Sequence, residues 1–490
     1  MGTLKREIGS ANIYFAAGRI ISLFIGFFSS VILARLLGSY SFGLYSFCLT
    51  IVTFFVIFTD FGLMSTLVRF LANYMSKERY GKAGALARMV FKYKAFLGIV
   101  VGFLISALSH PIAGFVFNKP EAWFMVFLAG FVIIARSFYG FFYSLFSGLK
   151  DFKYVSLVQS LQMLFKFIFA VVLVLLGFEA FGAIVGVTLS FLAVIVLSVL
   201  LIIRKYGFIL KKPKASIEKR ALLSFSAWVF VGSIAGTIFS LTDQMMISAM
   251  LPIENVGFYG IAITWKAAIV SLVPIASSVL YPYFSGAKNK EQLNMMFFNS
   301  LRYGAIFVFP LAFVLSAYAE PFILFLYKEP FLQAASVLRI LTFISIFSVL
   351  WGILMQYFNS IKRPDIATKV FSGVIVLNII LNYFLIQLYG IVGAAISTLF
   401  CGFIILIILF SITIFVKKLV FKPAIILNPL IASGAVYLVS LYFLPYVTNY
   451  FNLAFYGALS LVVYFVIMLM IRGITKEDLI QFRGIIFRRV

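Results

Sequence analysis

The chain has 490 residues, 63% hydrophobic and only 11% charged, with a mean hydropathy of +1.12 and a formal charge of +25 from 40 Lys and Arg against 15 Asp and Glu. Soluble domains are about one quarter charged and at most about half apolar, so this composition excludes a water-soluble enzyme and calls for lipid as the solvent. The basic residues lie between apolar runs and not on one polar face, which speaks for orientation in a membrane and against nucleic-acid binding.

The N-terminal MGTLKREIGS leads into an apolar stretch longer than a signal h-region and without a small-residue cleavage site, so it reads as a retained first span. A helix crosses about 30 Å of hydrocarbon with about 20 apolar residues. Such runs lie near 12–37, 43–66, 90–110, 122–146, 154–177, 183–203, 225–250, 258–282, 301–318, 337–360, 370–388, 394–416, 424–444 and 453–472, fourteen in all. The stretch 318–338 is amphipathic and reads either as a surface helix or as part of the ninth span. The two cysteines, Cys48 and Cys401, sit far apart inside apolar runs and imply no disulfide framework and no metal site.

With the N-terminus inside, 32 Lys and Arg fall on inner segments and 3 (Lys119, Lys328 and Arg339) on outer loops, as the positive-inside rule requires. One span missed or invented would reverse every later loop, so the ladder predicts fourteen spans with both termini cytoplasmic. The outer loops, GSYSF, GFEAFG, PIENVG and QLYGIVG among them, are too short for a catalytic domain. The inner connections 67–89 and 204–224 are basic and predict amphipathic helices on anionic lipid.

A weak internal repeat runs through the chain. At an offset of 214, ILARLLGSYSFGLYS (32–46) overlays MISAMLPIENVGFYG (246–260), with Gly43 on Gly257 and Tyr45 on Tyr259; near 212, SGLKDF (147–152) overlays SIKRPD (360–365). Parallel six-span repeats with a ligand path between the halves are a known transporter plan. The expected architecture is therefore an all-α membrane protein of two pseudo-symmetric six-helix bundles, 1–210 and 211–420, with two additional helices and a cytoplasmic tail over 421–490.

Seven charges fall within the spans: Arg19, Arg35, Asp60, Arg136, Lys166, Asp243 and Lys266. A lipid-exposed charge at mid-depth costs about 2.5–3.5 kcal/mol on insertion scales, so these must face each other or water. By depth, Arg19 can pair with Asp60 near the inner side and Asp243 with Lys266 near the outer side; such pairs serve either helix packing or ion coupling. Arg136 and Lys166 lie near the midplane with no evident acid and point to an anionic ligand. Ser156, Gln159, Gln162 and Lys166 share a helix face, as do Arg136, Tyr139, Tyr143 and Ser147, while Asn378 and Asn382 add amides in the eleventh span. Arg35 is placed at the outer rim and His110 at an outer interface.

The stretch SSVILARLLGSYSFGLYSFCLTIVTFFVIFTDFGL (29–63), followed by TLVRFLANY (66–74), resembles the polysaccharide-export family of Wzx-type flippases, and NSIKRPDIATKVFSGVIVLNIILNYFLIQLYGIVGAAIST (359–398) resembles their second-half signature. The superfamily also holds multidrug exporters and the lipid II flippase. The resemblance implies movement of a lipid-linked oligosaccharide, a glycan on a polyprenyl diphosphate, from the inner to the outer leaflet by alternating access. An ion gradient of H+ or Na+ or the membrane potential would drive it, with no ATP and no cofactor. On this reading Arg19, Arg136 and Lys166 line a basic cavity with Gln159, Gln162 and Asn378. Asp60, Asp243 and Lys266 are the ion-coupling candidates, and the chain works as a monomer among membrane lipids. The alternative is a cation-coupled multidrug exporter of the same fold, for which a basic midplane is unsuited. A membrane enzyme lacks the outer loop it would need, and a channel lacks a filter repeat.

Overall fold

The computed structural model describes the backbone of residues 2–474 apart from 210–216, 274–279, 281–283, 285, 288, 362 and 417–422, and at the N-terminal end it describes side chains for residue 18 and from 21 onward. The described residues are almost all helical, with no strand among them. Among them ten segments are long and apolar enough to cross a membrane. Their surfaces leave large apolar side chains open, among them Phe103, Leu175, Phe451 and Met470. In water this would be a severe liability; acyl chains cover it at no cost.

The first unit comprises Met1–Gly257. Its helices are α1 (Gly2–Phe55), α2 (Leu63–Ser76), α3 (Tyr80–Ala107), α4 (Trp123–Gly148), α5 (Phe152–Leu173), α6 (Glu179–Lys205) and α7 (Lys219–Met250). Helix α8 (Ile253–Leu272) starts in this unit and continues into the second. In the first unit α3 packs along α4, α5 along α6, α1 along α5, and α2 lies against α3, α4 and α7. Small residues bring α3 and α4 together: a Cβ on Gly130 would run into the Gly102 carbonyl and the Ser106 hydroxyl.

Helix α2 is amphipathic, as its sequence predicts, and buries Leu63, Thr66, Leu67 and Leu71. Helix α3, by contrast, begins at Tyr80, ten residues before the expected start of the third span. Its buried stripe of Ala83, Ala87, Val90, Lys94, Gly98, Gly102 and Ile105 carries the helix well below the apolar run. In the second basic connection α6 runs on to Lys205 and α7 begins at Lys219, and residues 210–216 lie outside the described ones.

The second unit comprises Phe258–Val490 and holds the rest of α8, α9 (Lys290–Ala317), α10 (Ala319–Tyr327), α11 (Gln333–Ser360), α12 (Pro364–Ser411), α13 (Ala424–Phe443) and α14 (Tyr450–Met470). The amphipathic stretch near 318–338 is a separate nine-residue helix, α10, which packs on α11, with Phe322 edge-on to Trp265 at 4.1 Å. Helices α13 and α14 close on α9 around Tyr318, Val436, Tyr464 and Met468. The buried Tyr464 hydroxyl is satisfied by donating to the Ile306 carbonyl at 3.0 Å.

Three of the ten apolar segments are broken by glycines in the left-handed region: Gly38 (φ 71°) in α1, Gly177 (φ 89°) between α5 and α6, and Gly390 (φ 59°) in α12. All three fall in the short loops GSYSF, GFEAFG and QLYGIVG, where the sequence expects the chain to turn at the outer face. Glycine adopts that conformation without the Cβ penalty, so a loop of a few residues reverses the chain.

At the opposite end of α5, Asp151 caps the helix and accepts from Lys205 Nζ at 2.7 Å and Tyr206 Oη at 2.6 Å. Burial pushes this carboxyl up, but the hydrogen bonds from Lys205 and Tyr206, the Lys205 charge and the Tyr154 N–H outweigh it and hold Asp151 below its ordinary value of 3.8. A carboxylate depressed in the folded state stabilises above its unfolded pKa and loses that contribution as pH falls through the folded one. The Asp151 end of the α5–α6 pair is therefore expected to weaken below about pH 4. Asp151→Asn should cost about 1 kcal/mol at pH 7 and flatten the acid limb of a pH series of melting temperatures. An unchanged acid limb in that variant would refute the assignment.

Candidate functional site

Three charged residues of the first unit, Asp60, Lys94 and Arg136, are tied to the segment where α1 ends. Helix α1 stops at Phe55, a 3-10 turn covers Val56–Thr59, and Phe61 (φ 43°) and Gly62 (φ 72°) turn the chain into α2. Only glycine fits at 62: the φ is left-handed, and a Cβ would strike the Ser226 carbonyl of α7. One turn on, Thr66 Oγ1 and Ser226 Oγ share a hydrogen bond of 2.6 Å, and Phe61 stacks on Phe230 at 4.6 Å. These contacts fix Asp60, whose Oδ1 accepts from the Met64 N–H at 3.2 Å at the positive end of α2.

Lys94 is the residue that sequence reading missed. It stands at the start of the third apolar run and counts with the basic residues of the inner side, yet its side chain is 2% exposed and its ammonium lies 3.4 Å from Asp60 Oδ1. The same ammonium donates to the Thr59 carbonyl at 3.3 Å and to Thr59 Oγ1 at 3.4 Å. The signal that could have found it is the stripe of small and apolar residues at i, i+3 and i+4 spacing on α3, into which Lys94 falls.

Arg136 of α4 projects toward α1 and donates from Nη1 to Thr53 Oγ1 at 3.0 Å. Lys166 of α5 holds its ammonium over the Tyr45 ring at 5.9 Å, a cation–π contact. Among the described residues no carboxylate stands within ion-pair distance of Arg136 or Lys166. The first unit thus holds an ion pair between buried Lys94 and half-buried Asp60, and two cations supported by a hydroxyl and a ring.

The other residues singled out by sequence are placed as follows. Gln159 is half-buried on α5, whereas Gln162 is buried and donates to Ser190 Oγ of α6 at 3.2 Å, so its amide is engaged in the α5–α6 seam. In the second unit Asn378 is fully buried and donates to Ser397 Oγ at 3.2 Å and Thr398 Oγ1 at 3.3 Å, bracing the two arms of α12 across the Gly390 break. Asp243 is buried on α7 in the first unit, and Lys266 is half-buried on α8 in the second. The Arg19 side chain lies outside the described residues. Arg35 is exposed, and His110 stacks on Trp123 at 4.2 Å. Chemically the set offers fixed cations and hydroxyl donors at membrane depth, which suits holding an anion.

The model of the family described as polysaccharide biosynthesis protein matches residues 10–288, more than half of the chain. The chain belongs to the polysaccharide biosynthesis protein family. The stretch 29–74, on which the resemblance was read, lies within this match. A second family model, MatE, matches residues 229–384.

Relatives of this family member include an uncharacterized membrane protein, MJ1068, of Methanocaldococcus jannaschii, 26% identical over 74% of this chain and 75% of that protein. Another is the probable low-salt glycan biosynthesis flippase Agl15 of Haloferax volcanii, 28% identical over 43% of this chain and 45% of that protein. Among solved structures, the lipid II flippase MurJ in an inward closed conformation superposes with a TM-score of 0.79 at 18% identity, covering 94% of this chain and 99% of that one. An inward-facing multidrug resistance MATE transporter superposes at 0.63 and 15% identity over 82% of this chain and 99% of that one. The fold is that of MurJ and the MATE transporters, and the protein is a multi-pass membrane protein.

Proposed function

We propose that the protein flips a lipid-linked oligosaccharide, a glycan on a polyprenyl diphosphate, from the inner to the outer leaflet of the cytoplasmic membrane by alternating access. The observation that carries this reading is the pair of uncompensated cations, Arg136 and Lys166, at membrane depth in a chain of the polysaccharide biosynthesis family. Fixed cations are costly in hydrocarbon unless an anion or water meets them, and a diphosphate is such an anion. The relatives that are named as flippases support the same substrate class. Arg19 and Gln159 join the lining in this proposal. Gln162 and Asn378 support it from within helix seams.

Three further features belong to the proposal. Ten apolar segments, three of them broken in two at Gly38, Gly177 and Gly390, together with α7, support fourteen spans. The basic inner segments support cytoplasmic termini. Two six-helix lobes over 1–210 and 211–420, with the last two helices added, support a monomeric transporter that rocks about a central path and performs no catalysis. Asp60, Asp243 and Lys266 are its ion-coupling candidates.

The MatE match favours one alternative, a cation-coupled drug exporter. Cationic drugs would be repelled by Arg136 and Lys166, so the glycan reading is preferred. The test is leaflet-specific labelling of a polyprenyl diphosphate-linked glycan in proteoliposomes, repeated under imposed H+ and Na+ gradients. Protein-dependent appearance of label in the opposite leaflet is expected, faster under one gradient. Efflux of a cationic dye without glycan movement would establish the alternative.

A further inference from the structure

We infer that the turn at Asp60 is a monovalent-cation site already filled by the chain's own Lys94 ammonium, so that Asp60 takes no Na+ in the native protein. The ammonium donates to the Thr59 carbonyl at 3.3 Å, to Thr59 Oγ1 at 3.4 Å and to Asp60 Oδ1 at 3.4 Å, one oxygen for each of its three N–H groups. Carboxylate and carbonyl oxygens, with neutral hydroxyl-type oxygens, are also the donors that a hard metal cation takes. The charges balance as they would around Na+ or K+, one positive against a single carboxylate.

The three oxygens are held in place without Lys94. Thr59 Oγ1 donates its own proton to the Val56 carbonyl at 2.7 Å, which leaves its lone pairs to accept. Asp60 Oδ1 is fixed by the Met64 N–H at 3.2 Å, and the Thr59 carbonyl is backbone of the 3-10 turn Val56–Thr59.

Lys94 reaches this cage from a different helix. It is 2% exposed and is the charge in a buried α3 stripe made largely of alanine and glycine. Ser137 Oγ donates to the Lys94 backbone carbonyl at 3.3 Å, a tie between α3 and α4 that does not depend on the lysine side chain. Gly140 of α4 stands beside the stem: a Cβ there would lie 4.0 Å from Lys94 Cε. Having no side chain, Gly140 cannot fill the volume vacated when the stem is cut back. Asp60 is 29% exposed, so the opened cage is reached along its carboxylate.

A cation entering the native cage would set a second positive charge beside Lys94 with one carboxylate to share, which a low-dielectric site penalises. For the proposed flippase, Asp60 thereby leaves the candidates for Na+ coupling. That consequence rests on the flippase reading, whereas the site itself does not.

The experiment is thermal unfolding of the full-length protein in detergent, with NaCl or KCl exchanged for choline chloride at constant ionic strength and no transport substrate present. Lys94→Ala is expected to melt below the wild type in choline chloride. In Na+ or K+ it should gain on the order of 2 °C in Tm, the shift for a site filled about tenfold over its Kd. The wild type and the Asp60→Asn/Lys94→Ala double variant should melt alike in the three salts. A Lys94→Ala protein indifferent to the salt overturns the inference. So does a gain that persists in the double variant, because the ion would then bind elsewhere. A wild type stabilised by Na+ in a way that Asp60→Asn abolishes overturns it too, while equal salt responses of these two proteins uphold it; this arm decides the matter if Lys94→Ala does not fold. Absence of glycan flipping in proteoliposomes would remove the consequence for coupling and leave the melting temperatures as they are.

Discussion

Replacing Arg136 with alanine is expected to lower lipid-linked glycan export about ten- to hundredfold while leaving the protein at least as stable as before, since hydrogen bonds to a charged group contribute about 1.5–3 kcal/mol. The two halves of this expectation come from the same geometry. The guanidinium has a hydroxyl partner, Thr53, and no acid paired with it among the described residues. A charge held in that way strains the fold, so truncating it relieves the cost of its burial. Residues that destabilise the protein and still sit at its chemical centre are those whose value lies in function. Export per folded molecule, measured beside the melting temperature in detergent, checks both halves. Lost stability with normal specific export would make Arg136 a packing residue.

Replacing Gly62 with alanine is expected to have the largest effect on folding, about 3 kcal/mol or more. The left-handed φ of 72° alone costs a β-carbon about 1–2 kcal/mol. The remainder comes from the Ser226 carbonyl, a backbone atom that moves only if α7 moves. That shift would break the 2.6 Å Thr66–Ser226 hydrogen bond and the Phe61–Phe230 stack and carry Asp60 off Lys94. Detergent-solubilised yield and melting temperature should both fall. Wild-type values would mean that α2 and α7 are not held together at this turn.

Much of the fold was legible because a membrane leaves few options. Backbone polar groups in lipid must be satisfied within the helix, so an apolar run of sufficient length is a helix wherever it occurs. The loops GSYSF, GFEAFG and QLYGIVG were equally readable, since each carries the glycine that the turn needs. The helix ends in the basic connections were less so. Helix α3 extends ten residues below its apolar run because an interior stripe of alanine and glycine, not mean hydropathy, sets its length.

The site was legible only in part. Arg136 and Lys166 announce themselves as charges far from any helix end. Lys94 does not, because a lysine near an inner terminus has the same composition whether it reaches water or folds inward. Nor could depth alone assign partners: Asp60 meets Lys94, which lies 34 positions along the chain, while Gln162 spends its amide on α6 and Asn378 on the other arm of α12.

By itself the sequence determined the solvent, the helical class, the places where the chain turns at Gly38, Gly177 and Gly390 and the family, because each follows from local composition and from short motifs. Only the tertiary structure decided which buried charges compensate one another and which have no acid beside them. That depends on helices far apart in sequence arriving at the same depth with facing sides, and Coulomb energy in a low dielectric changes over a few ångströms that no spacing along the chain records.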